Sequence, residues 1–409
     1  MNENARPTAA PAAAAPREAA PLRSEREARR IAVAGAAGLA AAMGIGRFAF
    51  TPLLPLMQAE GQLTLTQGGW LASANYAGYL AGALAAVAFD PPPARAARLG
   101  LWTVAVATLA MAAAPSFAAA LAWRALAGAA SALVLVALST WAQSRLAALG
   151  RAAWTGWVFC GIGVGIAGAG LVALAIGASG AAAARAWLGL GALAAAIAIF
   201  VLGVLRRDFA GRGAPLAAAR SGAAAGRRFP HGARLLVLCY GAYGFGYIVP
   251  ATFLPAIARA LVDDPAVFGS TWPLVGLAAA ASTVALGRLE RWPPRRVWAA
   301  LHGVMALGVA LPAWRPTLAA VVFSAIAVGG TFVAVTMVAL REARRVAGDG
   351  AARLMAAMTA AFAAGQWLGP LAVVGDGAAD QAMRAPSAIA AAVLAVSAIA
   401  LAWPEARRR

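Results

Sequence analysis

Apolar residues fill long, regularly spaced runs of this chain, and polar residues collect in the short segments between the runs. A membrane-spanning helix needs about 20 consecutive apolar residues, and runs near that length recur from residue 31 onwards. The pattern therefore predicts an all-α integral membrane protein with twelve spanning helices. The predicted spans are residues 31–56, 67–89, 99–115, 117–142, 153–178, 185–205, 234–258, 267–288, 297–313, 316–340, 351–375 and 386–404.

The composition favours the same class of protein. Hydrophobic residues make up 62% of the chain and charged residues 12%, whereas a soluble domain is roughly half apolar and a quarter charged. The net charge of +19 does not require a nucleic-acid partner, because in a membrane protein such charge orients the chain and attracts anionic lipid headgroups. We expect no nucleic-acid partner. Two cysteines and two histidines are too few for a disulfide framework or a metal centre. We expect membrane lipids as partners, with no metal and no cofactor.

Arginine is distributed unevenly between the two sides of the predicted topology. If the amino terminus is cytoplasmic, 28 of the 34 arginines lie in cytoplasmic segments and four lie on the opposite side. The positive-inside rule then places both termini in the cytoplasm. We expect residues 1–30 to form a disordered cytoplasmic tail and residues 405–409 to form the cytoplasmic carboxyl terminus.

The two halves of the chain repeat each other at an offset of about 200 residues. GIGRFAFTPLLP, which begins at Gly44, matches GFGYIVPATFLP, which begins at Gly244. Such a repeat predicts two six-helix bundles, at residues 31–205 and 234–404, joined by a cytoplasmic loop at 206–233. An acidic residue and an arginine recur after the second and eighth spans, where they are candidates for gating or loop ion pairs: Asp90, Arg95, Glu290 and Arg295.

Several motifs resemble one branch of a known transporter family. GIGRFAFTPLLPLM in the first span, GGWLASANYAGYLAGAL at 68–84, WRALAGAASALVLV at 123–136 and GQWLGP at 365–370 resemble the YbfB/YjiJ branch of the major facilitator superfamily. The resemblance implies a secondary transporter whose first, fourth, seventh and tenth spans line a central cavity. It departs in the loop after the second span, where only Asp90 and Arg95 fit the glycine-aspartate-glycine-arginine pattern usual in the superfamily.

Two arginines lie inside predicted spans and are the leading candidates for substrate binding. Arg47 lies deep in the first span, and Arg124 lies about two turns into the fourth. An unpaired arginine at the bilayer centre costs at least ~2.5–3.5 kcal/mol, so such residues are usually functional. The alternative is that either side chain extends to the membrane surface. Two cavity arginines would suit a carboxylate, sulfonate or phosphate on the substrate.

Other polar and aromatic side chains are candidates to orient the substrate by hydrogen bonds. The alternative for these residues is packing between helices or an aromatic belt. The candidates are Asn75, Tyr79, Tyr243, Tyr247, Gln366 and Trp367. A run of glycines at 161–170 in the fifth span is predicted to allow close packing between the two bundles.

The predicted function is secondary active transport of a small organic solute, with an anionic solute favoured, by alternating access across the bacterial inner membrane. Candidate coupling residues are Glu60 and Asp376, and the alternatives are passive exchange or a proton carried on the substrate. The rival functions are an efflux pump for amphipathic drugs and, more distantly, an integral-membrane lipid enzyme. We expect a monomer and no enzymatic activity.

Overall fold

All regular secondary structure in the described part of the chain is helical. The computed structural model describes residues 19–89, 91–210, 232–262, 264–286, 292–348, 351–371 and 379–403. The α-helices of the first half are α1 (Ala19–Leu39), α2 (Phe50–Ala59), α3 (Leu65–Phe89), α4 (Pro93–Ala110), α5 (Phe117–Ala148), α6 (Thr155–Ala178) and α7 (Ala183–Ala210). Those of the second half are α8 (Ala233–Leu261), α9 (Pro265–Ala285), α10 (Pro294–Trp314), α11 (Leu318–Ala347), α12 (Ala351–Leu371) and α13 (Ala379–Ala402).

Ten segments of the described chain are long and apolar enough to cross a membrane, so the expected count of twelve is wrong by this criterion. In this count α1 and α2 belong to one segment, Ser24–Ala59. The helices that do not qualify are α3 and α12, which carry the buried polar side chains Ser73, Asn75 and Gln366. These side chains lower the mean hydropathy of the two helices although they pack inside the protein and are not exposed on its surface.

The amino-terminal segment is ordered further than expected. Helix α1 begins at Ala19, so residues 19–30 are helical and the prediction of disorder is wrong for that stretch. Ala28 is fully buried, and Glu27 forms an ion pair with Arg145 at the end of α5. Arg145 also contacts Asp208 of α7 at 2.8 Å, so the cluster fixes the ends of three helices together. Residues 1–18, 211–231 and 404–409 lie outside the described residues.

The fifth-span glycines pack where the two halves of the chain meet. A Cβ atom on Gly163 of α6 would lie 2.4 Å from the backbone nitrogen of Ala280 in α9. A Cβ atom on Gly170 would lie 2.5 Å from the Pro273 ring of the same helix. The predicted packing between halves is therefore confirmed at these two positions. Gly161 instead approaches the backbone of α1.

Equivalent contacts recur in both halves at the predicted offset. Gly128 of α5 packs against the carbonyl oxygen of Asn75, and Gly329 of α11 packs against that of Val275. A Cβ atom would lie 1.9 Å from the oxygen in the first contact and 2.3 Å in the second. Real side chains do not fit at such distances, so glycine is required where these helices cross.

Substitution of the adjacent glycines Gly329 and Gly330 is expected to have opposite effects. Gly329→Ala should lower the free energy of unfolding by about 1–3 kcal/mol, because the methyl group would overlap the backbone of Val275. Gly330→Ala meets no atom within 4 Å and should raise stability by up to about 1 kcal/mol, since alanine favours a helix over glycine. Unfolding of the purified variants by sodium dodecyl sulfate measures both changes in the free energy of unfolding. Equal effects would contradict the packing of α11 on α9.

Candidate functional site

The first spanning segment is broken near its middle. Helix α1 continues into a π-helical turn at Ala40–Ile45, and α2 begins only at Phe50. The amide of Phe48 donates to the carbonyl oxygen of Met43 at 3.1 Å, which is the wider hydrogen bond of a π turn. Gly44 allows this turn to pack closely on α6, since a Cβ atom there would lie 2.3 Å from the backbone of Gly165. The break leaves backbone carbonyl groups without helical partners.

Arg124 and Asn75 bind the carbonyl groups freed by the break. The Arg124 guanidinium donates from Nη2 to the Arg47 carbonyl at 3.1 Å and from Nη1 to the Gly46 carbonyl at 3.4 Å. Asn75 Nδ2 donates to the same Gly46 carbonyl at 3.2 Å and to the Arg124 carbonyl at 2.8 Å. A cation placed there also stabilises the carboxyl end of a helix. Both predicted site residues therefore reach the site, where they hold its backbone in place.

Arg47 is the charged group that remains available at the break. Its side chain is buried, with 1% of the residue exposed, and Nε and Nη2 have no hydrogen-bond partner among the described residues. The guanidinium carbon lies 4.0 Å from the centre of the Tyr79 ring and 5.3 Å from that of Tyr76. These cation–π contacts offset only part of the cost of burying the charge.

Aromatic rings of the second half stack beside Arg47. The Tyr247 hydroxyl accepts a hydrogen bond from Gln366 Nε2 and lies close to the Arg47 side chain. Its ring is nearly parallel to that of Phe332, with centres 4.9 Å apart and an interplanar angle of 17°. Tyr243 stacks on Tyr247 and donates its hydroxyl proton to the Phe332 carbonyl at 2.6 Å. The arrangement surrounds the cation with aromatic faces and one hydroxyl oxygen.

A small cavity of about 10 Å³ lies between the two halves beside these rings, large enough for roughly one water molecule. Its walls come from both halves of the chain: Phe48, Ile166, Tyr247, Ala251, Trp272, Val275, Val328 and Phe332. Two polar contacts join the halves near it. Thr51 Oγ1 donates to the carbonyl of Ala251 at 2.9 Å, and the Tyr76 hydroxyl lies 3.1 Å from Thr252 Oγ1.

Sequence comparison assigns the chain to a protein family. The profile of the family described as "Uncharacterised MFS-type transporter YbfB" matches residues 39–402, which contain the break, the arginines and the ring stack. The chain belongs to this family. It is therefore a member of the major facilitator superfamily, as the motifs implied, and a multi-pass membrane protein. Comparison with curated proteins finds no significant match.

Solved MFS transporter structures share the fold. A crystal structure of a mutant of the nucleoside transporter NupG superposes with a TM-score of 0.71 at 13% sequence identity, and covers 91% of this chain and 100% of that chain. The human organic anion transporter MFSD10 gives a TM-score of 0.61 at 18% identity, covering 91% of this chain and 99% of that chain. At these identities the likeness concerns the fold alone.

Of the remaining predicted substrate-binding residues of this MFS transporter, four lie in the cluster around Arg47 and one lies outside it. Tyr79, Tyr243, Tyr247 and Gln366 are buried around Arg47. Trp367 is 43% exposed, so its side chain lies outside the cluster. Its backbone carbonyl instead accepts a hydrogen bond from Ser73 at 3.3 Å.

Three of the predicted coupling and gating residues are described, and none of the three belongs to the ring stack. Glu60 is exposed and accepts hydrogen bonds from the Ala183 amide at the start of α7 and from Gln62, both at 2.6 Å. Arg95 is exposed, and Arg295 donates to the Leu401 carbonyl at the end of α13. Asp90, Glu290 and Asp376 lie outside the described residues.

Besides Phe48, which adjoins Arg47 in the chain, sequence reasoning missed four aromatic residues of this site. They are Tyr76, Trp272, Phe332 and Phe362, each of which stacks on or lines the cluster around Arg47 and Tyr247. A signal existed for two of them. Tyr76 adjoins Asn75 within the family motif, and Phe362 precedes Gln366 by one helical turn.

Proposed function

We propose that this MFS transporter is a secondary transporter for a small organic anion and that Arg47 binds the anionic group. The observation that carries the proposal is a buried guanidinium with two nitrogen atoms that have no partner among the described residues, where the halves of the chain meet. Such donors match the oxygen atoms of a carboxylate, sulfonate or phosphate. The human neighbour MFSD10, described as an organic anion transporter, supports this substrate class.

We further propose that transport proceeds by alternating access in the inner membrane of a bacterium, with both termini cytoplasmic. Residues 31–205 and 234–404 would move as two bundles around the break, as in other transporters with repeated halves. The Thr51–Ala251 and Tyr76–Thr252 contacts join these bundles next to the site. Separation of the bundles at these contacts would open the cavity to one side. A monomer surrounded by lipid suffices for this mechanism.

Anion exchange is the coupling mode that we favour. A buried guanidinium without a counter-charge makes the closed empty carrier unfavourable, and a bound anion removes that cost. The carrier would therefore change sides more easily with an anion bound than without one. The Glu60 carboxylate is exposed and holds the start of α7, which favours a structural role for it over proton coupling.

Efflux of amphipathic drugs is the second candidate, because the walls of the cavity expose only aromatic and aliphatic carbon atoms. Cations would then bind to the ring faces that now surround Arg47. The guanidinium opposes this function, since a second positive charge in the same site would be repelled.

Ligand-induced stabilisation of the purified protein separates the two functions. Organic anions such as carboxylates and sulfonates should raise the melting temperature, because a ligand that binds only the folded state stabilises it by about 2.7 kcal/mol at a hundredfold excess over its Kd. Amphipathic cations of similar size should produce no shift. Stabilisation by the cations alone would overturn the anion proposal and support efflux.

A further inference from the structure

We propose that a groove on the outer surface of the junction between the halves binds one phospholipid with an anionic headgroup. The groove has a volume of about 590 Å³ and lies between α6 and α9. Both helices belong to segments long and apolar enough to cross a membrane, so the groove opens towards lipid. Its lining is almost entirely apolar and consists of Cys160, Leu277, Ala280, Ala281, Val284 and Ala285. The proposal does not depend on which solute is transported.

The groove follows the line along which the two halves touch. A Cβ atom on Gly163 of α6 would lie 2.4 Å from the backbone nitrogen of Ala280, which lines the groove from α9. Leu277 is 60% exposed and Val284 is 41% exposed on the same helix. Contacts inside a membrane depend on close van der Waals packing. An acyl chain in the groove would pack against these exposed side chains and contact both halves at once.

A row of side chains leads from the groove to the start of α6. Its members are spaced three residues apart: Arg151, Trp154, Trp157 and Cys160. Residues at this spacing are neighbours on an α-helix and also on the 3₁₀ turn Ala152–Trp154 that precedes α6. Trp157 is 55% exposed, and the Arg151 guanidinium carbon lies 6.0 Å from the centre of the Trp154 ring. A charge, two indoles and an apolar groove follow the order of headgroup, interface and acyl chain in one leaflet of a bilayer.

Arg151 supplies the charge that favours an anionic headgroup. Its side chain is exposed and forms no ion pair with a carboxylate among the described residues. A guanidinium can bind two oxygen atoms of a phosphate group at once. A zwitterionic headgroup brings its own cation to the phosphate and gains less from the arginine. In the proposed topology this end of α6 is cytoplasmic, and basic pockets between helices on that side bind anionic headgroups.

Native mass spectrometry of the full-length protein, released from a neutral detergent, tests the proposal because it counts the lipids bound to each molecule. The two probes are dioleoylphosphatidylglycerol and dioleoylphosphatidylcholine, which share their acyl chains and differ in headgroup charge. The wild type should bind one molecule of phosphatidylglycerol about fivefold more tightly than phosphatidylcholine, as one basic residue at a membrane surface allows.

Two pairs of variants test which residues form the site. Arg151→Gln should remove the fivefold preference, whereas Arg98→Gln removes a charge from an exposed position of α4 and should keep it. Cys160→Phe fills the groove and should weaken the binding of both lipids at least about fivefold, since many carbon contacts are lost. Val164→Phe adds the same ring one turn later on α6, at a position that is 56% exposed and outside the groove lining. It should leave the binding of both lipids unchanged.

Several results would overturn the proposal. Equal affinity of the wild type for the two lipids would exclude a site for an anionic headgroup, and a preference that survives in Arg151→Gln would exclude that residue. Loss of the preference in both arginine variants would show a general attraction to surface charge. Dimers that dissociate in Cys160→Phe would identify a second copy of the chain as the occupant of the groove. If Cys160→Phe does not fold, Val284→Phe must weaken the binding of both lipids, or the proposal fails.

Discussion

Replacement of Arg47 by methionine is expected to abolish anion binding while making the empty protein more stable. Two charge-assisted hydrogen bonds contribute about 1.5–3 kcal/mol each, so their loss should weaken binding at least about 100-fold. Methionine keeps most of the side-chain volume and removes the buried charge. That charge costs at least ~2.5–3.5 kcal/mol, and the cation–π contacts recover up to about 2 kcal/mol. The free energy of unfolding should therefore rise by about 1 kcal/mol.

Arg98→Met is the control for this result, because it removes the same charge from an exposed position of α4. In Arg98→Met, the affinity for the anions that stabilise the wild type should stay unchanged. The free energy of unfolding in sodium dodecyl sulfate should stay unchanged as well. Arg47→Lys should bind anions more weakly than the wild type, since one ammonium cannot pair with two oxygens in a fixed fork. Wild-type anion affinity in Arg47→Met would show that the anion binds elsewhere.

Replacement of Arg145 by methionine is expected to cause the largest loss of stability. Its side chain is 4% exposed and the Asp208 side chain 8% exposed. Asp208 also accepts a hydrogen bond from the Trp141 indole at 3.0 Å. Removal of the arginine leaves a buried carboxylate without its counter-charge, which costs about 3–5 kcal/mol in known cases. Unfolding in sodium dodecyl sulfate should show a loss of this size.

Two further variants test that explanation of the Arg145 effect. Arg207→Met removes a positive charge from an exposed position one residue before Asp208 and should change stability by less than about 0.5 kcal/mol. The double variant Arg145→Met with Asp208→Leu should recover much of the loss, because the buried carboxylate is removed together with its counter-charge. The other partner of Arg145, Glu27, has a side chain that is 36% exposed and stays in contact with water. A double variant as unstable as Arg145→Met alone would assign the effect to packing.

The position of the site could be predicted from local sequence, because the relevant signals lie within one segment. Gly44, Gly46 and Arg47 in an apolar run indicate a softened helix with a buried charge, and the structure places a π turn there. The polar face of α3 likewise predicts that Asn75 and Tyr79 point inwards, and both are buried.

The partners of these residues could not be predicted, because they depend on which distant segments meet. Arg124 binds carbonyl groups 77 and 78 residues earlier in the chain, which only the break makes available. Glu27 orders the amino-terminal helix by pairing with a residue 118 positions away. Trp70 and Trp272 occupy similar places in the repeat, yet one is 53% exposed and the other lines the cavity.

The charge at the junction of the halves links the proposed mechanism to the membrane potential. Arg47 has no carboxylate partner among the described residues, so in the proposed mechanism reorientation of the empty carrier would move positive charge through part of the electric field. A full crossing of one charge changes the energy by about 2.3 kcal/mol per 100 mV. An interior-negative potential would hold the empty site towards the cytoplasm, whereas the complex with a monovalent anion would cross without that bias. At the resting potential of a cell, the empty carrier would therefore bind its anion from the cytoplasmic side.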